Sequence, residues 1–400
     1  MQSLEKLENA RRQIQPEDEV LLCVGRVDRD GENAGHLSSL LRCDLDWEYL
    51  LDSARRHGLV PGLHQCLSPM STVPAEVKSG LRDESHALQV TNLLLTHELL
   101  RVLILLQSEG IRAIPFKGPT LTMIAYGNLA LRQFDDLDFL LPPVDIPRAR
   151  TVLSLHGYRS QHPLGRTQED AYFKSLCQLP LVHEETSILV ELHSKVTPRD
   201  FSIGNDPTFL QRLMPVSLLG KEVLTFSRED LLLILCVHGA KHIWGCLGWV
   251  WDVASLISVS PEMDWDLVTR LARRNQCERI LSLGLFLAHE LSGAPLPPGI
   301  LSKIENDKHV LILAKHVWQR LFNFNFGNSG FSDAFFHLRV RERWFHGVRY
   351  SLSLALSPTL ADWSSLTLPK PLSFFYYPVR FRRLLGKYGP KPGQAASTLS

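Results

Sequence analysis

A chain of 400 residues, 44% apolar and 21% charged, is long enough for two or three ordinary domains and too apolar to be disordered. Its net charge of +1 supplies no overall field to draw nucleic acid or membrane. The seven cysteines, at 23, 43, 66, 177, 236, 246 and 277, are odd in number and form no Cys-x-x-Cys pair. That argues against a zinc ribbon or a disulfide scaffold and fits reduced thiols in a cytoplasmic protein.

The first residues are charged and lack the apolar stretch of a signal peptide. Residues 1–107 read as a helical region. Asp46 to Gly58 has helical apolar spacing and ends on a glycine suited to a helix C-terminus. A loop with proline near each end, Ser68–Pro74, leads to a longer amphipathic helix over His86–Leu106. The longest apolar runs, such as Leu231–Val237, are too short to span a bilayer, so no transmembrane segment is expected.

From Ile111 the period changes. Ile111–Phe116 reads as a buried strand, and Thr120–Tyr126 as a short helix stopped by Gly127. Pro119 suits the start of that helix, where a missing N–H costs nothing. Lys117-Gly118 therefore lies at a helix N-terminus, a place that favours phosphate. Asp136–Leu141 alternates as a strand, with Asp136, Asp138 and Leu140 on one face and Leu137, Phe139 and Leu141 on the other. Pro142-Pro143 ends it, and a helix over Asp145–His156 runs to Gly157. Ser187–His193 is another strand, with Leu189, Glu191 and His193 sharing a face. Residues 108–225 thus form a central α+β domain.

Residues 226–400 return to helices. Ser227 to Asp230 reads as a capping box opening a helix over Glu229–Ile243, which carries His238, Lys241 and His242 along one side. A helix over Trp249–Ile257 follows, and helical pattern continues to Leu291. A proline-rich break spans Ala294–Pro298. Residues 370–400 hold six Lys/Arg and no acid among several aromatics. The expectation there is a helix with its aromatics packed and its cations in solvent.

Two carboxylates side by side on a strand repel unless a cation lies between them, and the natural partners are oxygen-loving ions such as Mg²⁺ or Mn²⁺. If the Ser187–His193 strand lies beside Asp136–Leu141, Glu191 joins them as a third acid. Taken singly, each mark is ordinary: an Asp-x-Asp is more often a solvated turn, and Lys-Gly-Pro a plain turn. In this order on strands, they outline a site for phosphoryl or nucleotidyl transfer. No Gly-x-x-x-x-Gly-Lys-Ser/Thr P-loop is present. His238 and His242 stand at zinc spacing with no third ligand evident, which favours packing or hydrogen bonding over metal.

Phe116-Lys117-Gly118, Arg132, Asp135-Asp136-Leu137-Asp138, Gly157-Tyr158, Val190-Glu191-Leu192-His193, the His238/His242 helix and Trp251-Asp252 together resemble an uncharacterised bacterial nucleotidyltransferase family, a branch of the polymerase-β-type nucleotidyltransferase fold. The resemblance covers about residues 40–260. It implies a small mixed-sheet domain with helical flanks, and Mg²⁺-dependent (or Mn²⁺-dependent) transfer of a nucleoside monophosphate from an NTP. By analogy Asp136 and Asp138 bind metal and Glu191 is the third carboxylate. Lys117, Gly118, Arg132, His193 and Lys241 are expected at the nucleotide. The acceptor, whether small molecule, peptide, protein or RNA, stays open. The gap from Lys117 to Asp136 is longer than usual and the third acid is Glu where Asp is usual. A second reading is therefore a degenerate nucleotide-binding or interaction protein.

Overall fold

The computed structural model describes residues 14–27, 31–162, 177–196, 207–322, 330–342 and 376–388, with isolated positions between 165 and 173 and between 359 and 375. It is an α+β protein in which a small mixed sheet is embedded in helices. Four helices open it: α1 (Pro16–Val24), α2 (Gly31–Leu40), α3 (Trp47–Arg56) and α4 (Val60–Leu67). The Asp46 carboxylate caps α3 by accepting the Tyr49 N–H, and Gly58 takes the left-handed conformation just beyond its end, as the spacing predicts.

Helix α5 runs from Ala75 to Ser108, one stretch where the sequence reading has a helix only from His86. Pro74 precedes it with extended backbone, and Gly80 inside it is tolerated. By length and composition α5 is the one described helix that qualifies to cross a membrane, which apolar run length alone did not suggest. In the fold, Leu95, Leu99, Val102 and Leu106 pack against the sheet. Its buried Glu98 takes hydrogen bonds from Arg101 and Tyr158.

The sheet has the order β1-β2-β5-β4-β3. Its strands are β1 (Ile114–Phe116), β2 (Asp136–Leu140), β3 (Tyr158–Ser160), β4 (Gln178–His183) and β5 (Leu189–His193). Helix α6 (Gly118–Tyr126) links β1 to β2, and α7 (Ile146–Ser154) lies between β2 and β3. β2 and β5 are parallel neighbours, while the other pairs are antiparallel. β3, β4 and a separate hairpin, β6 (Met214–Leu218) with β7 (Lys221–Thr225), were not anticipated. The hairpin's signal was present: Leu219 and Gly220 both have positive φ, as a two-residue primed turn requires.

The sheet divides two cores. Leu137, Phe139, Val190 and Leu192 point into the core shared with α5 and α7. Phe116 and Leu140 belong to the larger helical core. That core is built by α8 (Arg228–Lys241), α9 (Leu247–Ser258), α10 (Trp265–Arg274) and α11 (Glu278–Ser292), which pack on one another. Ser227 caps α8 by accepting the Asp230 N–H. Helices α12 (Pro298–Glu305), α13 (Lys308–Phe322), α14 (Gly330–Arg339) and α15 (Tyr376–Tyr388) complete the described chain. In α15, the described part of that stretch, the expectation holds in part: Tyr376 is buried and Arg382 and Arg383 are exposed, but Arg380 is buried beside Asp362 while Tyr377 and Phe381 are exposed. A buried carboxylate needs a cation more than an aromatic ring needs a core.

Candidate active site

Pleat and pairing build the site together. Residues two apart on a strand share a face, so Asp136 and Asp138 project from β2 on one side and Glu191 and His193 from β5 on the same side. The parallel register sets Asp138 opposite Glu191 and Leu140 opposite His193. Phe116 of β1 lies opposite Asp138 on the other flank, so the chain leaves β1 at Lys117 directly beside the acids.

Lys117 has φ 59° and ψ −150°, a conformation that costs a side-chain-bearing residue about 1–3 kcal/mol. Gly118 follows with φ +41°, and a Cβ there would meet the Asp136 carbonyl oxygen at 3.3 Å. The strained turn aims the Lys117 side chain at the acids. Its Nζ donates to Asp138 Oδ2 at 3.0 Å. His193 Nε2 lies 2.7 Å from Asp138 Oδ1 and 3.2 Å from Glu191 Oε2. Neither approach is well directed for a hydrogen bond, yet both acids act on the imidazole as ion-pair partners. Gln178 Nε2 donates to Glu191 Oε1 at 3.4 Å. The Phe116 ring meets the His193 imidazole edge-on at 5.3 Å.

The charges do not balance: three carboxylates face one ammonium and one imidazole. The charge of Asp138, and then burial, push the Asp136 carboxyl up to about 7 against the pull of Lys117. Burial also works against ionised Asp138, but Lys117 and His193 outweigh it and hold that carboxyl well below its usual range. For Lys117, burial favours the neutral amine, and the charges of Asp138 and Asp136 reverse the balance and raise it. His193 follows the same pattern, raised by Asp138 and Glu191 in spite of burial.

Helix α8 closes one side. Burial, and then the charge of Lys117, lower both His238 and Lys241, while Asp138 pulls the other way on both and Glu191 also on Lys241. Lys241 is thus within electrostatic reach of Lys117, Asp138 and Glu191. His238, His242 and Trp249 form a cluster of rings with centroids 4.8–5.4 Å apart, and neither histidine joins a group of metal donors among the described residues.

Among the predicted site residues, Lys117, Gly118, Asp136, Asp138, Glu191 and His193 come together. The donor atoms that close to within 4.8 Å of one another belong to Asp138, Glu191 and His193, with Asp136 one pleat away. Two carboxylate oxygens and a buried imidazole nitrogen suit a divalent metal ion. Arg132 is placed differently. Its Nε and Nη2 donate to Asp252 at 2.7 and 3.0 Å, and Tyr126 Oη donates to the same carboxylate at 2.7 Å. Nη1 is buried without a hydrogen-bond partner. Asp252 therefore holds Arg132 and Tyr126. Asn92 of α5 fixes the same loop, donating to the Leu129 and Arg132 carbonyls at 2.7 and 2.8 Å. Gln178 was missed because its strand was missed.

A model of one protein family, described as an uncharacterised nucleotidyltransferase, matches residues 44–293, from the start of the α3 cap to the end of α11. No curated protein matches the chain.

Proposed function

The chain belongs to this uncharacterised nucleotidyltransferase family, and from that membership we propose that it moves a nucleoside monophosphate from an NTP to an acceptor hydroxyl or phosphate. An acceptor oxygen attacks the α-phosphorus, the bond to the β-phosphate oxygen breaks, and pyrophosphate leaves with that electron pair. The observation that carries the reading is the set of three carboxylates on one partly buried sheet face, with a strained lysine aimed at it.

Asp138 and Glu191, with Asp136 beside them, hold the divalent ion, Mg²⁺ or Mn²⁺. When bound, such an ion neutralises phosphate charge and lowers the pKa of the attacking oxygen. The chain's own residues do the rest. Lys117 and Lys241 hold the β- and γ-phosphates from two sides. Gly118 keeps the turn free of a side chain where the substrate backbone must come close. Glu191 shares the ion or takes the acceptor's proton. Arg132 keeps the loop before β2 in place through Asp252.

Transfer of label from α-³²P nucleotides, tried one base at a time with Mg²⁺ or Mn²⁺ and a cell extract as acceptor source, tests this reading. The label should appear on an acceptor and vanish with Asp136→Ala. Full activity in that variant would sink the assignment. One observation favours a second reading: Lys117 Nζ sits on Asp138 where a cation would be. If it stays there, the protein binds nucleotide without turning it over. Nucleotide binding that survives with no transfer would identify that case.

A further inference from the structure

Each of the two central carboxylates has one oxygen anchored and one presented. Asp138 Oδ2 is held by Lys117 and Glu191 Oε1 by Gln178. The remaining oxygens, Asp138 Oδ1 and Glu191 Oε2, both turn to His193 Nε2, at 2.7 and 3.2 Å. Ligands at right angles on an ion with bonds of about 2.1 Å lie about 3 Å apart. His193 Nε2 therefore stands from each oxygen at the spacing of neighbouring ligands of one ion, and the donors of all three residues lie within 4.8 Å of one another. The imidazole is set in position by β5 and by the edge of Phe116, and its Nε2 is buried with no directed hydrogen bond.

We propose that His193 Nε2 is a metal ligand alongside Asp138 Oδ1 and Glu191 Oε2, so that this site prefers a first-row transition ion such as Mn²⁺ to Mg²⁺. The proposal rests on the metal-dependent reading above and gives the ion its class. Mg²⁺ takes oxygen ligands and sheds water reluctantly. A nitrogen donor in the set shifts preference toward ions that accept imidazole. Lys117 and Gln178 orient the carboxylates from outside, as second-layer partners of metal ligands do. In the absence of nucleotide Lys117 stays on Oδ2 while the ion uses Oδ1, so the ammonium and the ion share Asp138 without competing for one oxygen.

The alternative is that His193 is only a protonated counter-ion to the two acids. Pulsed EPR separates the two cases. The full-length chain is stripped with chelator and loaded with one equivalent of MnCl₂, without nucleotide. The expected result is one tightly bound Mn²⁺ whose echo modulation shows coupling to ¹⁴N, retained against a tenfold excess of Mg²⁺. In His193→Asn the coupling should vanish and Mn²⁺ affinity fall about tenfold or more, with the circular dichroism spectrum unchanged. Bound Mn²⁺ without nitrogen coupling in the unaltered chain, displacement of Mn²⁺ by equimolar Mg²⁺, or no Mn²⁺ binding would each overturn the proposal. The reading uses no turnover. Label transfer without a nitrogen-coupled ion removes this inference alone, and a nitrogen-coupled ion without transfer removes the proposed reaction alone.

Discussion

Two buried charge clusters lie close together in this protein, and they are built on opposite principles. Around Asp252, one carboxylate meets one guanidinium through two hydrogen bonds and a tyrosine hydroxyl supplies a third. Donor and acceptor charges match, so the cluster behaves as a latch holding the loop before β2 against α9. Around Asp138, three carboxylates meet one lysine and one histidine, and the histidine Nε2 has no directed bond. The lesson is in the stoichiometry: a closed buried ion pair fixes geometry, whereas an open one with excess charge of one sign is shaped for something that arrives.

The largest expected effect is on the open cluster. Asp138→Asn should lower transfer at least about 10²- to 10³-fold while circular dichroism stays native, because the site and not the core loses its charge. Transfer within a fewfold of the unaltered chain would break the contrast. The next effect is on the latch. Arg132→Met leaves Asp252 buried and unpaired and should cost about 3–5 kcal/mol in urea unfolding. Arg132→Met combined with Asp252→Leu should recover most of that loss, since two apolar groups leave no orphaned charge. A double variant no more stable than the single would show that the pair does more than latch.

Acidity sharpens the difference further. With Asp136 raised to about 7 from an ordinary 3.8, the folded chain holds a proton between those values that the unfolded chain releases. Stability of the metal-free protein should therefore fall as pH rises from about 4 to 7 and level off above. Asp136→Asn should flatten that slope, as followed by Tm in a chelator-containing buffer, and an unchanged slope would move the excess charge elsewhere. The smallest effect is that of Tyr126→Phe, which removes one of three hydrogen bonds to Asp252 and should cost about 1 kcal/mol. A cost near zero would mean that the arginine alone closes the latch.

Local chemistry made much of this legible. Alternation put Asp136 with Asp138 and Glu191 with His193 on shared faces, since side-chain direction in a strand has period two whatever the strand pairs with. Ser227 announced the helix it caps, and Gly58 and Gly127 those they end. The metal donors were less legible. His193 was assigned to the nucleotide, because the analogy supplies a third carboxylate and nothing local tells an imidazole ligand from an imidazole beside phosphate. β3 and β4 escaped because one is three residues long and the other carries Pro180.

By itself, then, the sequence determined which side chains share a face, where helices α3, α6 and α8 begin or end, and that an acidic strand follows a Lys-Gly turn. Those properties depend on neighbours within a few residues. Only the tertiary structure decided that β5 pairs in parallel with β2 with Glu191 facing Asp138, and that Arg132 turns to Asp252, 120 residues away. It also decided that His193 closes on both acids. Each is a choice among partners remote in the chain, settled by burial: a carboxylate taken out of water must find a donor, and the register that buries Leu137, Phe139, Val190 and Leu192 on one face leaves the acids together on the other.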